Sequence, residues 1–480
     1  MALGRTDGRL FRPAPRGSKR VDSGLVLLGR AADGSKLWLG LAAGLAVSGG
    51  RFRRRAALRG LFAAGLASAV ANGPVKVAVE RRRPVGGWPS RALRGVRGTS
   101  KPDSSSFSSG HSAAGFAFAA GAGQEVPALA GPLVAMAALV GYSRVHSGAH
   151  HPSGVAAGAA IGAGAALLTR RLWPVAPHAP AHVRTSLERA EVEPSPGGAG
   201  LVVVINPSAG SSERAAEELR AELPEADVVE LEDGADLEAA LEKAAAEGCV
   251  IGVAGGDGSI NTAAALAAAS DKPLFVVPGG TLNHFAYALG LESIADAAQA
   301  VRDGRAVTVD RAVIDGHTFV NTASIGNYVD LVDAREKLEH RIGKWPAVVV
   351  ALVGVLRTAR PVELEIDGEP RKVWMVFIGN CRYHPAGFTP SWRERLDDGQ
   401  LDVRIVDGTH PWSRTRLLLS VMTGRLARCG AYEQRFVRTM HVRSLEGRLR
   451  LARDGETFDG PEEFTIAKAD EPLLVYVPEP

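Results

Sequence analysis

Three short clusters between residues 76 and 151 hold side chains suited to binding phosphate. Lys76 and Arg83-Pro84 follow one apolar run, Ser109-Gly110-His111 opens the next, and Arg144 and His150 lie in a polar stretch between two more. A guanidinium fork matches two phosphate oxygens at once, and a helix start adds unpaired backbone N–H groups. A histidine in such a pocket is placed to exchange protons near neutral pH. His146 and His151 flank these positions and read as polar loop residues. A second set of loops follows a different plan. Asn206-Pro207-Ser208-Ala209-Gly210, Gly255-Gly256-Asp257-Gly258-Ser259 and Gly279-Gly280-Thr281-Leu282-Asn283 each come after a run of β-branched residues. Glycine at a strand-to-helix turn lets backbone N–H groups approach phosphate closely. One such loop means little in a chain with 56 glycines, but three in series argue for a phosphate site.

The elements that carry these residues differ between the two halves. Segments 36–50, 56–79, 112–124, 126–141 and 154–169 are apolar and almost free of charge. A membrane-crossing helix needs roughly 17–25 such residues. Several segments are short and rich in glycine, so a water-soluble helical bundle is the competing reading. The lack of an amphipathic face favours the membrane. If the segments alternate in direction, all three phosphate clusters emerge on one face. The second half alternates strand, glycine loop and helix, which predicts a parallel sheet with ligands at the carboxyl ends of its strands. It has neither a G-x-x-x-x-G-K-[ST] motif nor a G-x-G-x-x-G after its first strand. Later stretches such as 361–380 and 399–408 alternate and turn like antiparallel strands.

The expected organisation is a basic segment over 1–35, a membrane helical domain over 36–172, and a linker over 173–199 rich in Pro, Gly and Ala. An α/β ATP-binding lobe over 200–312 and a β-rich lobe over 313–480 complete it. The formal charge of +4 on 480 residues hides the contrast between an apolar, arginine-punctuated first half and an evenly charged second half. The abundance of Ala, Gly and Arg fits a GC-rich genome as well as any function. Cys249, Cys381 and Cys429 lie far apart without metal-ligand spacing, as in a reducing compartment. The N-terminus lacks the apolar core of a secretory signal. No nucleic-acid partner is expected, and a homodimer is compatible with the sequence.

The order Lys76-x6-Arg83-Pro84, Ser109-Gly110-His111, Ser143-Arg144-x5-His150 resembles the three-part signature of the type 2 phosphatidic acid phosphatase family. The resemblance implies a metal-independent phosphatase in which His150 attacks phosphorus and His111 protonates the leaving alcohol. It gives Lys76, Arg83, Ser109, Gly110 and Arg144 the phosphoryl oxygens to hold. Two positions depart from the family pattern. Ser108 stands where a proline is usual, and Gly154 stands where an aspartate orients the nucleophilic imidazole. Ser153 and Asp103 are the nearest candidate substitutes. Gly154→Asp is expected to raise the rate if the missing carboxylate limits it. The alternative is a phosphate-binding anchor without activity.

The three glycine loops resemble those of the diacylglycerol kinase catalytic domain family, which includes bacterial lipid kinases and sphingosine kinases. The Gly280-Thr281-Leu282-Asn283-His284-Phe285-Ala286 run fits these better than the NAD kinases, which share the Gly-Gly-Asp-Gly loop. The resemblance implies ATP and Mg²⁺ as cofactors, with Asn206, Gly255, Gly256, Asp257, Gly258, Ser259, Gly279, Gly280, Thr281 and Asn283 around the nucleotide. It also implies that Glu456, in the late Asp454-Gly455-Glu456 turn, deprotonates the acceptor hydroxyl. The same tripeptide at Asp367-Gly368-Glu369 reads as a hairpin turn.

Taken together these features predict a bifunctional enzyme. One half phosphorylates a lipid hydroxyl, diacylglycerol or similar, and the other dephosphorylates a lipid phosphate such as phosphatidate or a prenyl phosphate. A kinase for a soluble hydroxyl is the alternative for the second half. The expected location is the cell membrane, multi-pass, with the kinase half cytoplasmic. Arg170-Arg171 beyond the last apolar segment agrees with that orientation. The basic, amphipathic stretch from residue 324 to 361 is read either as a membrane-surface element or as a packed helix pair.

Overall fold

The computed structural model describes residues 19–79, 81, 106–181, 192–207, 212–280, 283–326, 329, 360–386, 391–409, 412–423 and 425–478. The chain divides into two compact units, Met1–Ala176 and Pro177–Pro480.

The first unit is helical. Its helices are α1 (Lys19–Ala31), α2 (Lys36–Val47), α3 (Arg51–Asn72), α4 (Pro74–Ala78), α5 (Gly110–Glu125), α6 (Ala130–His146) and α7 (Pro152–Leu172). Each of the five apolar segments forms a helix. Among the described residues three stretches, Arg51–Ala78, Pro127–His146 and Pro152–Leu172, are long and apolar enough to cross a membrane. Helix α5 has 16 residues and α2 has 12, both short of the usual span. Helix α5 is the buried centre, packed by Ala and Gly faces of α3 and α7. Gly158 and Gly162 of α7 make the close approach possible, since a Cβ on either would lie 2.5 Å from the carbonyl of Ser109 or Ala113. Glu125 at the far end of α5 accepts from Arg55 and Arg59 of α3. The Arg59–Glu125 pair is fully buried at 2.7 Å, so removing one partner would strand a charge and cost about 3–5 kcal/mol.

Among the described residues the second unit holds two large sheets and a two-stranded hairpin, Tyr383–His384 with Trp392–Arg393. The first runs in the order β2-β1-β3-β4-β19-β5. Its strands are β1 (Leu201–Ile205), β2 (Asp227–Glu230), β3 (Val250–Gly255), β4 (Leu274–Pro278), β5 (Ala306–Val309) and β19 (Leu473–Tyr476). Strands β1 to β4 are mutually parallel, as predicted. Helices α8 (Ser212–Glu222), α9 (Leu237–Glu247), α10 (Asp257–Ala269), α11 (His284–Ala288) and α12 (Ile294–Arg302) connect them. The apolar runs of β1, β3 and β4 are buried on both faces, which is why they read as continuous rather than alternating.

The second sheet is antiparallel, with eleven strands among the described residues. Its long central strand β10 (Glu369–Asn380) pairs with β8 (Thr322–Gly326), β9 (Val362–Ile366) and β13 (Leu401–Asp407). Asp367-Gly368-Glu369 is the β9–β10 hairpin, with both Asp367 and Gly368 at positive φ. The reading of 313–480 as one β-rich lobe needs one amendment. The last strand, β19, returns to the first sheet, beside β4 and β5. Almost all of the amphipathic stretch read from residue 324 to 361 lies outside the described residues.

Candidate active sites

In the helical unit the predicted phosphate-binding residues converge where α4, α5, α6 and α7 begin or end. Ser109 is the N-cap of α5, its hydroxyl accepting from the Ser112 N–H, and its own N–H donates to the Gly154 carbonyl at 2.9 Å. The start of α5 is thus fastened to the start of α7. Gly110 packs closely on Asn72: a Cβ there would sit 2.8 Å from the Asn72 amide oxygen and would displace that side chain. That same oxygen accepts from Lys76 Nζ at 2.7 Å, which holds the ammonium beside the helix start. His150 is buried, and its Nδ1 lies 2.8 Å from the Ser106 carbonyl oxygen. His111 Nε2 lies 2.7 Å from Asp33 Oδ1, and Arg144 Nη1 approaches the same oxygen at 3.6 Å.

Two of these groups escaped the sequence reading. Asp33 belongs to the segment read only as basic, and no motif marks it. Its carboxylate bridges the two groups that the family resemblance assigns to the leaving oxygen and the phosphoryl clamp. The Ser106 carbonyl is backbone and has no signature in residue type. Of the two substitutes considered for an orienting acid, Ser153 accepts from Arg81 Nη1 at 2.8 Å and Asp103 lies outside the described residues. Arg83 also lies outside them.

In the second unit the described parts of the three loops meet at the carboxyl ends of β1, β3 and β4, and Ser208, Ala209 and Gly210 lie outside the described residues. A cleft of about 310 Å³ opens there, lined by Ile205, Asn206, Arg214, Glu218, Gly279 and Ile294 among others. It lies at the reversal of strand order about β1, where open parallel sheets bind ligands. Asn206 Nδ2 donates to Ser259 Oγ at 2.9 Å, and the Gly279 N–H donates to the Gly255 carbonyl at 3.0 Å, stitching the loops together. Gly256 and Gly280 face each other so closely that a Cβ on Gly280 would fall 2.5 Å from the Gly256 Cα. Asn283, at φ +49, exchanges hydrogen bonds with both backbone groups of Gly280. Thr281 lies outside the described residues.

Asp257 opens α10 and accepts from the His284 and Phe285 N–H groups and from Asn321 Nδ2. Glu456 starts β17 (Glu456–Asp459), and its Oε1 lies 2.6 Å from where a Cβ of Gly258 would be. The turn that presents Glu456 is anchored by Asp454, which accepts from the Val320, Asn321 and Thr322 N–H groups. Burial pushes the Asp454 pKa up to about 7, those backbone donors act against the rise, and the Asp257 charge adds to it. Asn321 also accepts from Arg393 Nη2 at 2.9 Å, so one asparagine ties the Asp257 loop to the hairpin that carries Arg393. Asn321 and Arg393 were not singled out from the sequence. Glu369 lies in the exposed β9–β10 hairpin.

These arrangements define a unit of a mainly parallel α/β sheet and an antiparallel sheet, with glycine-rich loops at the carboxyl ends of its parallel strands, following a helical unit. Residues 200–314 match the diacylglycerol kinase catalytic domain model, and residues 56–176 match the PAP2 superfamily model. A Pseudomonas aeruginosa protein named "Probable lipid kinase YegS-like" is 30% identical over 266 residues, 52% of this chain and 82% of its own. A Mycobacterium tuberculosis protein named "Diacylglycerol kinase" is 27% identical over 234 residues, 45% of this chain and 74% of its own. A crystal structure of a diacylglycerol kinase from Bacillus anthracis is 19% identical with a TM-score of 0.42, covering 58% of this chain and 96% of that one. The chain belongs to the diacylglycerol kinase catalytic domain family, and its N-terminal half carries a PAP2 superfamily domain.

Proposed function

We propose that this protein is a bifunctional lipid-phosphate enzyme. The second unit transfers the γ-phosphate of ATP to a lipid hydroxyl, diacylglycerol or a close analogue. The helical unit removes phosphate from a lipid phosphate through a phosphohistidine on His150. The observation that carries the kinase reading is the seat of Glu456 against Gly258, which puts a carboxylate at the phosphate loop. Facing glycines, a helix start and the Asn206–Ser259 contact form a cradle that a Cβ would fill, and this fits a nucleotide phosphate. Asp257 offers hard oxygen to Mg²⁺, which would shield the phosphate charge during transfer. The test is an assay of the full chain with labelled ATP and diacylglycerol. Label extracted into organic solvent supports a lipid acceptor; label that stays aqueous points to a soluble one.

Asp33 bears on the phosphatase half. Its Oδ1 stands between His111 Nε2 and Arg144 Nη1, at the place the assigned roles give to a substrate oxygen. Substrate must displace it. Asp33→Asn removes the competing charge and should tighten inhibition by orthovanadate about threefold to tenfold. An unchanged or weaker inhibition constant would contradict this role.

The proposed topology places the kinase unit in the cytoplasm, where ATP is. The arginines that end α7, Arg170 and Arg171, then face inward. His111, Arg144 and His150 face outward, which keeps the two opposing activities on separate leaflets. Exposed Cys249 should escape an impermeant maleimide in intact cells, whereas a Ser100→Cys variant should react at the new position. The opposite labelling pattern would reverse the orientation.

A further inference from the structure

The phosphohistidine reading leaves one position unexplained, since Gly154 stands where the family's orienting aspartate belongs. We infer that the backbone carbonyl of Ser106 orients His150 in its place, and that Gly154 is needed to leave room for that carbonyl. This inference rests on the phosphatase reading of the helical unit.

The geometry is direct. His150 is 4% exposed, and its Nδ1 lies 2.8 Å from the Ser106 oxygen. A carbonyl only accepts, so Nδ1 carries the proton and Nε2 keeps the lone pair. A Cβ on Gly154 would lie 3.0 Å from that same oxygen, which is the one atom near it among the described residues. The carbonyl cannot easily retreat. Its residue's N–H donates to the Arg81 carbonyl at 2.9 Å, and three residues on the Ser109 N–H donates to the Gly154 carbonyl at 2.9 Å. The loop that carries the acceptor and the helix that lacks the acid are therefore built around one another.

The chemistry then closes without a carboxylate. The Nε2 lone pair forms the P–N bond as the P–O bond to the alcohol breaks, and His111 gives the departing oxygen its proton. The Nδ1–H stays on the ring, and the positive charge that develops there is met by the carbonyl dipole. Water then attacks phosphorus and gives its proton to His111, and as the P–N bond breaks its electron pair returns to Nε2, which releases phosphate and restores both histidines. A neutral carbonyl fixes the tautomer as a carboxylate does, but stabilises the charged ring less.

Gly154→Asp is consequently no rescue. It would push the Ser106 carbonyl away from Nδ1, which overturns the expectation of a gain. The experiment compares wild type, Gly154→Ala and Gly154→Asp as full chains in detergent. Phosphatidate hydrolysis is measured in EDTA, and ATP-dependent lipid phosphorylation by the same preparations reports their integrity. Gly154→Ala should lower kcat at least about tenfold and Gly154→Asp about 100-fold or more, with KM within about threefold and kinase activity unchanged. The ¹⁵N signals of His150 should report Nδ1–H in wild type and a mixed or reversed tautomer in Gly154→Ala. A Gly154→Asp rate equal to or above wild type, or a wild-type ring protonated at Nε2, overturns the inference. An inert wild type with the Nδ1–H signature and its loss in Gly154→Ala defeats the phosphatase reading while leaving the orientation intact. If a variant loses kinase activity as well, its rates are set aside and the wild-type tautomer decides.

Discussion

His150→Ala should abolish EDTA-resistant hydrolysis of phosphatidate, a fall of about 10⁴-fold or more. The loss is large because the proposed nucleophile is removed outright. His111→Ala should behave differently. A proton donor matters most when the departing oxygen is basic, so its removal should cost about 10²–10³-fold with an alkyl phosphate. With p-nitrophenyl phosphate, whose leaving group needs little help, the His111→Ala deficit should shrink while the His150→Ala deficit stays. ³²P from the substrate should remain on wild-type protein quenched in alkali, where phosphohistidine survives, and should be absent from His150→Ala. Residual turnover in His150→Ala above about 1% of wild type would remove histidine attack from the mechanism. Equal leaving-group dependence in the two variants would remove the division of roles.

What the sequence disclosed follows from how local each feature is. The three glycine loops lie next to the strands that position them, so their order along the sheet was readable without the fold. Glu456 was readable through its tripeptide, but the contact that gives it meaning, with Gly258, spans almost two hundred residues. The anchors behind it were hidden. Asn321 lies in the bend before β8 and Arg393 in a short separate hairpin, and only the fold brings Asn321 to Asp257 and Arg393 to Asn321. The return of β19 beside β4 is equally non-local, since four apolar residues near the chain end carry no mark of which sheet they join. In the helical unit the motifs were legible and the partners were not. Asp33 sits two residues past the end of α1, and its link to His111 crosses 78 positions. The Ser106 carbonyl is a group every residue possesses. The absent aspartate at 154 drew attention to the right place, and only the backbone around it explains why glycine is there.

Glu456→Gln should lower ATP-dependent lipid phosphorylation about 10²–10³-fold while leaving nucleotide binding within about twofold. The substitution keeps size and hydrogen-bonding reach and removes only the capacity to take a proton. Asp454, which fastens the turn through three backbone N–H groups, is untouched, so the side chain at 456 stays against the phosphate loop. Asp257→Ala should be as damaging but for mixed reasons. It strips the acceptor from the His284 and Phe285 N–H groups and from Asn321, so loop geometry fails together with any metal contact. Glu456→Gln is therefore the cleaner probe of chemistry, and Asp257→Ala should show weakened nucleotide binding that Glu456→Gln does not. Glu369→Gln, in the exposed hairpin with the same tripeptide, should keep full activity. A base acting on the acceptor hydroxyl also predicts a pattern in substrates. The deficit of Glu456→Gln should narrow as the acceptor alcohol is made more acidic, for instance by fluorination beside the hydroxyl, because such an alcohol gives up its proton with less help. Normal turnover in Glu456→Gln, or a deficit indifferent to alcohol acidity, would take the base assignment away from Glu456 and leave it a structural part of the loop junction.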